Sequence, residues 1–232
     1  MATRPVFIAG EGDSCGRMYT EVNAEFTWHP GLAVSQKQKS IASLHNAIKG
    51  PRRILEVSTK SALELGCALS AFNLSVDLGP SGALPVEVRF QAAKVFEQGG
   101  PFLDLMQEAP ADARRDRRLK TSGPLVAFEC EGERWRLTPR SMFYDWLFLR
   151  GLTQSPDRLL AILRFDAFTD IEFNPKKSVN CQARACAICV GLSRAGRLAE
   201  VVAGREAYQG AAEMIYGALA NDPGGPQQRF GF

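Results

Sequence analysis

Glu87, Gln91, Lys94 and Gln98 recur at i, i+4, i+7 and i+11, so a helix over Val86–Gln98 stacks a carboxylate, an amide and an amine on one face. A carboxyl group partly removed from water can act as an acid and then as a base, and a neighbouring amine can capture an imine or carbonyl carbon. Val86, Phe90, Ala93, Val95 and Phe96 supply the apolar contacts of the same segment. The stripe also fits a solvated face, where a Glu87–Gln91–Lys94 ladder contributes about a few tenths of a kcal/mol. Residue types alone leave both readings open.

The stretch from Phe165 to Asn180, FDAFTDIEFNPKKSVN, is a second concentration of chemistry. Its phenylalanines need burial and carry their acidic and amide neighbours inward, although a packed connecting loop accounts for them equally well. It leads into an expected helix near Val179, whose free N–H groups favour anions. Arg114, Arg115, Arg117, Arg118 and Lys120 form a cationic run suited to phosphates but unable to read a base sequence. Such a run is more often a solvated helix face. Trp135 and Trp146 are core candidates, with Trp135 set between Arg134 and Arg136.

Metal chemistry has little material. Only His29 and His45 are present, which leaves neither a histidine-rich zinc site nor a Ser-His-Asp triad. Cys181, Cys186 and Cys189 have an iron–sulfur-like spacing, but no glycine separates them and Ala183, Ala185, Ala187 and Ile188 make them core residues. No cofactor is expected.

The elements that must position these groups follow from periodicity. Pro5–Ala9 and Val22–Trp28 read as strands, Ser35 to Lys49 as a helix ended by Gly50-Pro51, and Ile54–Ser58 as a strand before a helical turn at Ser61–Leu65. From Pro85 the pattern is mainly helical: Val86–Gln98, Thr138 to Leu149, Asp157–Leu163, Val179–Ser193 and Leu198–Leu219. The expected architecture is α+β and mainly α-helical, one domain over residues 1–220, with a small β-sheet mostly from the N-terminal third. Residues 221–232, NDPGGPQQRFGF, read as a flexible tail.

The bulk numbers agree with one soluble globular unit. The chain has 232 residues, 45% hydrophobic and 23% charged, with a net charge of +3. No apolar run approaches the ~20 residues of a membrane span, and no secretory signal is legible, so a cytoplasmic location and free thiols are expected. A charge this close to balance does not announce nucleic acid.

Ser70-Ala-Phe-Asn-Leu74, followed by Val86-Glu-Val-Arg-Phe-Gln-Ala-Ala-Lys-Val-Phe96, resembles the paired motifs of the NADAR (YbiA-like) family. The phrases FTWHPGLAVSQKQKSI, SAFNLS, FYDWLF and DAFTDIEFNPKKSVNCQAR are closer still to one branch, the NADAR antitoxins encoded beside DarT-type DNA ADP-ribosyltransferase toxins. The likeness runs roughly from Phe26 to Leu198. It implies a compact, mainly helical hydrolase that removes ADP-ribose from guanine bases of DNA. It also implies that Glu87 is the catalytic glutamate, Asp166 the later acidic residue, and Trp135 a tryptophan ahead of the mid-chain helix. Ser70, Phe72, Asn73, Gln91, Phe168 and Asn180 are expected to bind ligand. The glycine-rich loop of YbiA-like members is replaced here by FTDIEFNPKK, so Lys176, Lys177 and Ser178 are candidates for the diphosphate.

ADP-ribose on an exocyclic guanine nitrogen is a glycosylamine. Cleaving it requires a proton for the leaving nitrogen or ring oxygen and stabilisation of the cation developing at the anomeric carbon. Glu87 is the candidate acid and base, Asp166 the candidate that steadies the cation or orients water, and Lys94 a candidate Schiff-base amine. The expected partners are ADP-ribosylated DNA, ADP-ribose as product, and the cognate toxin. Two other functions remain: an antitoxin that neutralises by binding the toxin or modified DNA without catalysis, and an N-glycosidase acting on a free riboside metabolite.

Overall fold

The structure is a computed structural model that describes residues 1–12, 17–50 and 52–217. In chain order the elements are β1 (Ala2–Ala9), β2 (Tyr19–Phe26), α1 (Val34–Ala47), β3 (Ile54–Glu56), α2 (Glu64–Ala68), β4 (Ser75–Asp77), β5 (Ala83–Pro85), α3 (Val86–Ala92) and β6 (Lys94–Phe96). A 3-10 turn (Leu103–Gln107), α4 (Pro110–Arg115), α5 (Arg118–Thr121), β7 (Leu125–Cys130), β8 (Glu133–Trp135), α6 (Met142–Thr153) and α7 (Pro156–Ile162) follow. The described chain ends with β9 (Ala167–Thr169), α8 (Gln182–Arg194), α9 (Leu198–Val201), α10 (Arg205–Gly210) and α11 (Ala212–Tyr216). This is the expected α+β class with helices dominant. The tail expected at residues 221–232 lies outside the described residues.

The main sheet has the order β2-β1-β9-β3. Its parallel pair, β3 and β9, joins Ile54–Glu56 to Ala167–Thr169, so two segments far apart in sequence end side by side. Most of this sheet is N-terminal, as composition and alternation indicate, but β9 in its interior comes from the Phe165–Asn180 stretch. A second sheet, β6-β7-β8, was not anticipated. The β7–β8 turn places Glu131 at φ 50 and Gly132 at φ 77, the left-handed pair of a tight hairpin. Glu131 also accepts a bond of 2.6 Å from the fully buried guanidinium of Arg89, which offsets an unpaired buried charge.

The clearest helix expected from the sequence is half right. Val86–Ala92 is helical, but the chain then leaves the helix at Ala93 and Lys94–Phe96 becomes a strand paired with β7. Val95 and Phe96 are good strand formers, and pairing beside the Phe90–Phe128–Phe143 ring cluster buries all three residues of β6. Gln98 is exposed and falls off the stripe. The helix expected from Leu198 breaks into α9, α10 and α11, with Gly204 and Gly210 at the breaks. The helix expected from Thr138 begins at Met142.

Beneath the sheets, α6 and α8 form the centre of the core. Their partnership is fixed by charge: Arg184 donates to both oxygens of Asp145 at 3.2 Å, and Tyr216 donates to Asp145 at 2.9 Å. The three cysteines Cys181, Cys186 and Cys189 are buried at the start of α8 and along it, and burial raises each thiol well above its usual range or to about 12. Among the described residues no group of His, Cys, Asp or Glu side chains is placed to hold a metal ion. None of the described helices is long and apolar enough to cross a membrane.

Candidate active site

A cavity of about 580 Å³ opens between the turn at Ser70–Phe72, α3 with Lys94, the loop after β3 and the loop after β9, with residues of α4, α6 and α8 completing its lining. The two loops emerge from the carboxyl ends of parallel neighbours, where strand backbones stop pairing and loops diverge around a crevice. The turn is pinned to α3 because Val86 N–H donates to Leu74 O and Glu87 N–H to Ala71 O, both at 2.9 Å. Gln182 closes the frame, accepting from Ala71 N–H at 2.9 Å and donating to Val57 O at 2.6 Å.

On the α3 wall, Glu87, Gln91 and Lys94 are exposed by only 7%, 4% and 2%, which excludes a solvated face. Gln91 joins the other two: its Nε2 donates to Glu87 Oε1 at 2.9 Å, and its Oε1 accepts from Lys94 Nζ at 2.6 Å. The contact survives the helix break because β6 starts immediately beyond the last turn of α3. Burial lowers the Lys94 amine to about 8, with Glu87 working against the shift and Arg114 adding to it. Its Nζ also lies 4.8 Å from the centre of the Phe90 ring. Arg114 stands 3.9 Å from Glu87 and over Phe72, at the mouth.

Ser70, Phe72, Lys177 and Asn180 line the same cavity, with Arg114 and Arg115 on its rim. Ser70 Oγ and Asn180 Oδ1 are buried without a hydrogen-bond partner, so both retain capacity for a ligand. Other expected residues lie elsewhere. Asp166 sits at the opposite end of β9, bonded to Arg194 at 3.1 Å and to Arg53 N–H at 3.2 Å. The acidic residue that does line the cavity is Asp170, just past the other end of that strand. The two aspartates are four positions apart along extended chain, ~13 Å, so only one of them reaches the cavity.

Trp135 is wholly buried against Trp146 and Phe143, with ring centroids 4.8 Å and 5.4 Å away, and supports the core. Phe168 is the wholly buried middle residue of β9. Asn73 donates to Cys67 O at 2.8 Å and holds the turn behind the cavity. Lys176 is exposed outside the lining. Arg118 is committed to Asp104 and Asp116 at 2.6 Å and 2.9 Å, and Arg117 lies off the rim.

Residues missed from the sequence include Thr59 and Lys60 after β3, Tyr144 on α6, and Glu172 and Phe173 after β9. The FYDWLF phrase contains Tyr144, and the dense Phe165–Asn180 stretch contains Asp170, Glu172 and Phe173. Nothing local marks Thr59 or Lys60, because only the β3–β9 pairing brings them there.

The site is a buried carboxylate–amide–amine array beside cationic side chains in a compact α+β domain, a class of site that can grip a polar ligand. The model of the DarT1-associated NADAR antitoxins matches residues 2–217, and the chain belongs to that family. Its place is therefore among antitoxins. No curated protein matches it.

Proposed function

We propose that this antitoxin is a hydrolase that removes ADP-ribose from guanine bases of DNA and so reverses the modification made by a DarT1-type toxin. The observation that carries the reading is the buried Glu87–Gln91–Lys94 array opening into a cavity of nucleotide-sugar dimensions. A protein that acted only by covering its toxin would have no use for a desolvated amine beside a carboxyl group. Family membership supplies the antitoxin role, and the residue types of the array support the proposed reaction.

The ring carbon–oxygen bond at the anomeric carbon breaks as Glu87 gives a proton to the ring oxygen, leaving that carbon joined to the guanine nitrogen as an imine whose lost N–H proton returns to Glu87. Neutral Lys94 then adds to that carbon, and a proton passes to the guanine nitrogen as the carbon–nitrogen bond breaks, leaving ADP-ribose on Lys94 Nζ as a Schiff base. Water adds to the Schiff base and Lys94 leaves as the free amine, restoring ADP-ribose and unmodified guanine. Gln91 holds the two working groups in register throughout. Lys60, Lys177, Ser70 and Asn180 are the groups proposed for the diphosphate and ribose, and Arg114 and Arg115 for the DNA strand.

The protein incubated with ADP-ribosylated guanine in a single-stranded oligonucleotide should release ADP-ribose and return the unmodified base, as read by mass spectrometry. Parallel reactions with a free guanosine adduct and a pull-down with the toxin separate the other two functions. Absence of release from folded protein ends the hydrolase reading. Turnover of the free adduct alone would move the substrate class to metabolites.

A further inference from the structure

Tyr144 lines the cavity, and the reaction proposed above does not use it. It sits on α6 between two residues whose places are fixed. Phe143 stacks on Phe128 with ring centroids 4.9 Å apart, and Asp145 is held by Arg184 at 3.2 Å and by Tyr216 at 2.9 Å. The Tyr144 ring stands edge-on to Phe90, with centroids 5.3 Å apart and planes at 87°, and also packs on Phe148 at 6.3 Å. Lys94 Nζ lies 4.8 Å from the centre of that same Phe90 ring, so the phenol and the amine share one neighbour. Packing therefore holds the Tyr144 ring in place before any ligand enters.

Its hydroxyl is the unsatisfied part of this arrangement. Tyr144 is only 5% exposed, and among the described residues no group hydrogen-bonds its hydroxyl. A buried phenol normally has a partner, and the cavity that Tyr144 lines is where one can arrive. Glu87 and Asp170 line the same cavity and are buried, whereas its cations Arg114, Arg115 and Lys177 are exposed. A phosphate is favoured beside those cations and disfavoured beside the two carboxyl groups. A neutral polyol suits the inner end, because its hydroxyls both donate to and accept from carboxyl and phenol oxygens.

We propose that Tyr144 is a substrate-contacting residue that seats the sugar: its hydroxyl hydrogen-bonds the 2- or 3-hydroxyl of the reacting ribose and holds the anomeric carbon beside Glu87 and Lys94. The proposal rests on the hydrolase reading for the identity of the ligand, but not for the open hydroxyl. Burial first, and the Glu87 charge second, hold the phenol well above its usual range, so it stays protonated and acts as a fixed hydrogen-bonding group.

Tyr144→Phe removes one oxygen and keeps the ring that packs on Phe90 and Phe148. The test is calorimetric binding of ADP-ribose, and of ADP, which lacks the reacting ribose, to the wild type and the variant. ADP-ribose should bind Tyr144→Phe about 5- to 10-fold more weakly, the worth of one hydrogen bond, whereas ADP should bind both proteins alike. The urea midpoint should not fall, because the lost hydroxyl bonds no described protein group. ADP-ribose analogues lacking the 2- or the 3-hydroxyl of the reacting ribose give a second measurement. One of them should lose the same factor in the wild type and nothing further in Tyr144→Phe. Unchanged ADP-ribose binding in the variant, equal weakening of ADP, a lowered midpoint, or a wild type that does not bind ADP-ribose overturns the proposal. Release of ADP-ribose from modified oligonucleotide is followed in parallel. Wild type that shows the binding contrast but releases nothing sinks the hydrolase reading alone, whereas active wild type without the contrast sinks this inference alone.

Discussion

Folding places the Lys94 amine in a buried position. Burial brings it to about 8, so about a tenth is neutral at pH 7 and half at pH 8. Borohydride added during turnover should therefore fix ADP-ribose covalently to the protein, with a yield that rises from pH 7 towards pH 9, and should fix none to Lys94→Ala. If Lys94 only grips a phosphate, wild type gives no adduct and the variant chiefly raises KM. Glu87→Gln keeps size and hydrogen bonding while removing the titrating acid, so ADP-ribose binding should persist and turnover should fall ~100-fold or more. Unchanged turnover would remove Glu87 from the mechanism. These residues were legible because their spacing survives in three dimensions: Gln91 is one turn from Glu87, and Lys94 remains within its reach. Asp170 was not, because two aspartates share one short stretch and only the direction of β9 decides which one reaches the cavity.

At the scale of elements, the decisive feature is the change from α3 to β6 within one residue. The polar and apolar positions of Val86–Gln98 satisfy a helical period, but Val95 and Phe96 gain more by pairing with β7, a partner about thirty residues away that local periodicity does not register. Gly100 makes the turn possible. It has φ +91, and a Cβ there would overlap the carbonyl oxygen of Lys94. Gly100→Ala should therefore cost about 2 kcal/mol or more, lowering the urea midpoint at an unchanged slope, and should displace Lys94 enough to reduce trapping as well. An unaltered midpoint would mean that this turn does not hold β6. The family-like phrases find their explanation at the same scale: Asp145 of FYDWLF and Arg184 of NCQAR pair between α6 and α8, and Gln182 bridges β3's end to the turn at Ala71. Their resemblance reports a frame as much as a site. Such long-range pairings have no local period, which is why the second sheet escaped the sequence reading while α1, α7 and most of α8 did not.

Across the whole molecule a net charge of +3 is too small to attract nucleic acid by itself, so placement has to do what quantity does not. Lys60, Arg114, Arg115 and Lys177 surround a cavity whose acidic groups are Glu87, Asp170 and Glu172, and the first two of those are buried. Cations are thus at the mouth, where a strand carrying the adduct would pass, while most of the acidity is inside. On the proposed function, a cavity of about 580 Å³ would take the modification and leave the neighbouring nucleotides to lie across that rim. Binding of a modified single-stranded oligonucleotide to the slow Glu87→Gln variant should weaken with salt, each engaged phosphate adding ~0.7 to the slope of log affinity against log salt concentration. Arg115→Ala should lower the slope by about that amount, because Arg115 is an exposed cation on the rim. Free ADP-ribose should bind Arg115→Ala as it binds the wild type. An equal loss for both ligands would place Arg115 on the diphosphate, and an unchanged slope would show that the strand leaves the cavity by another side.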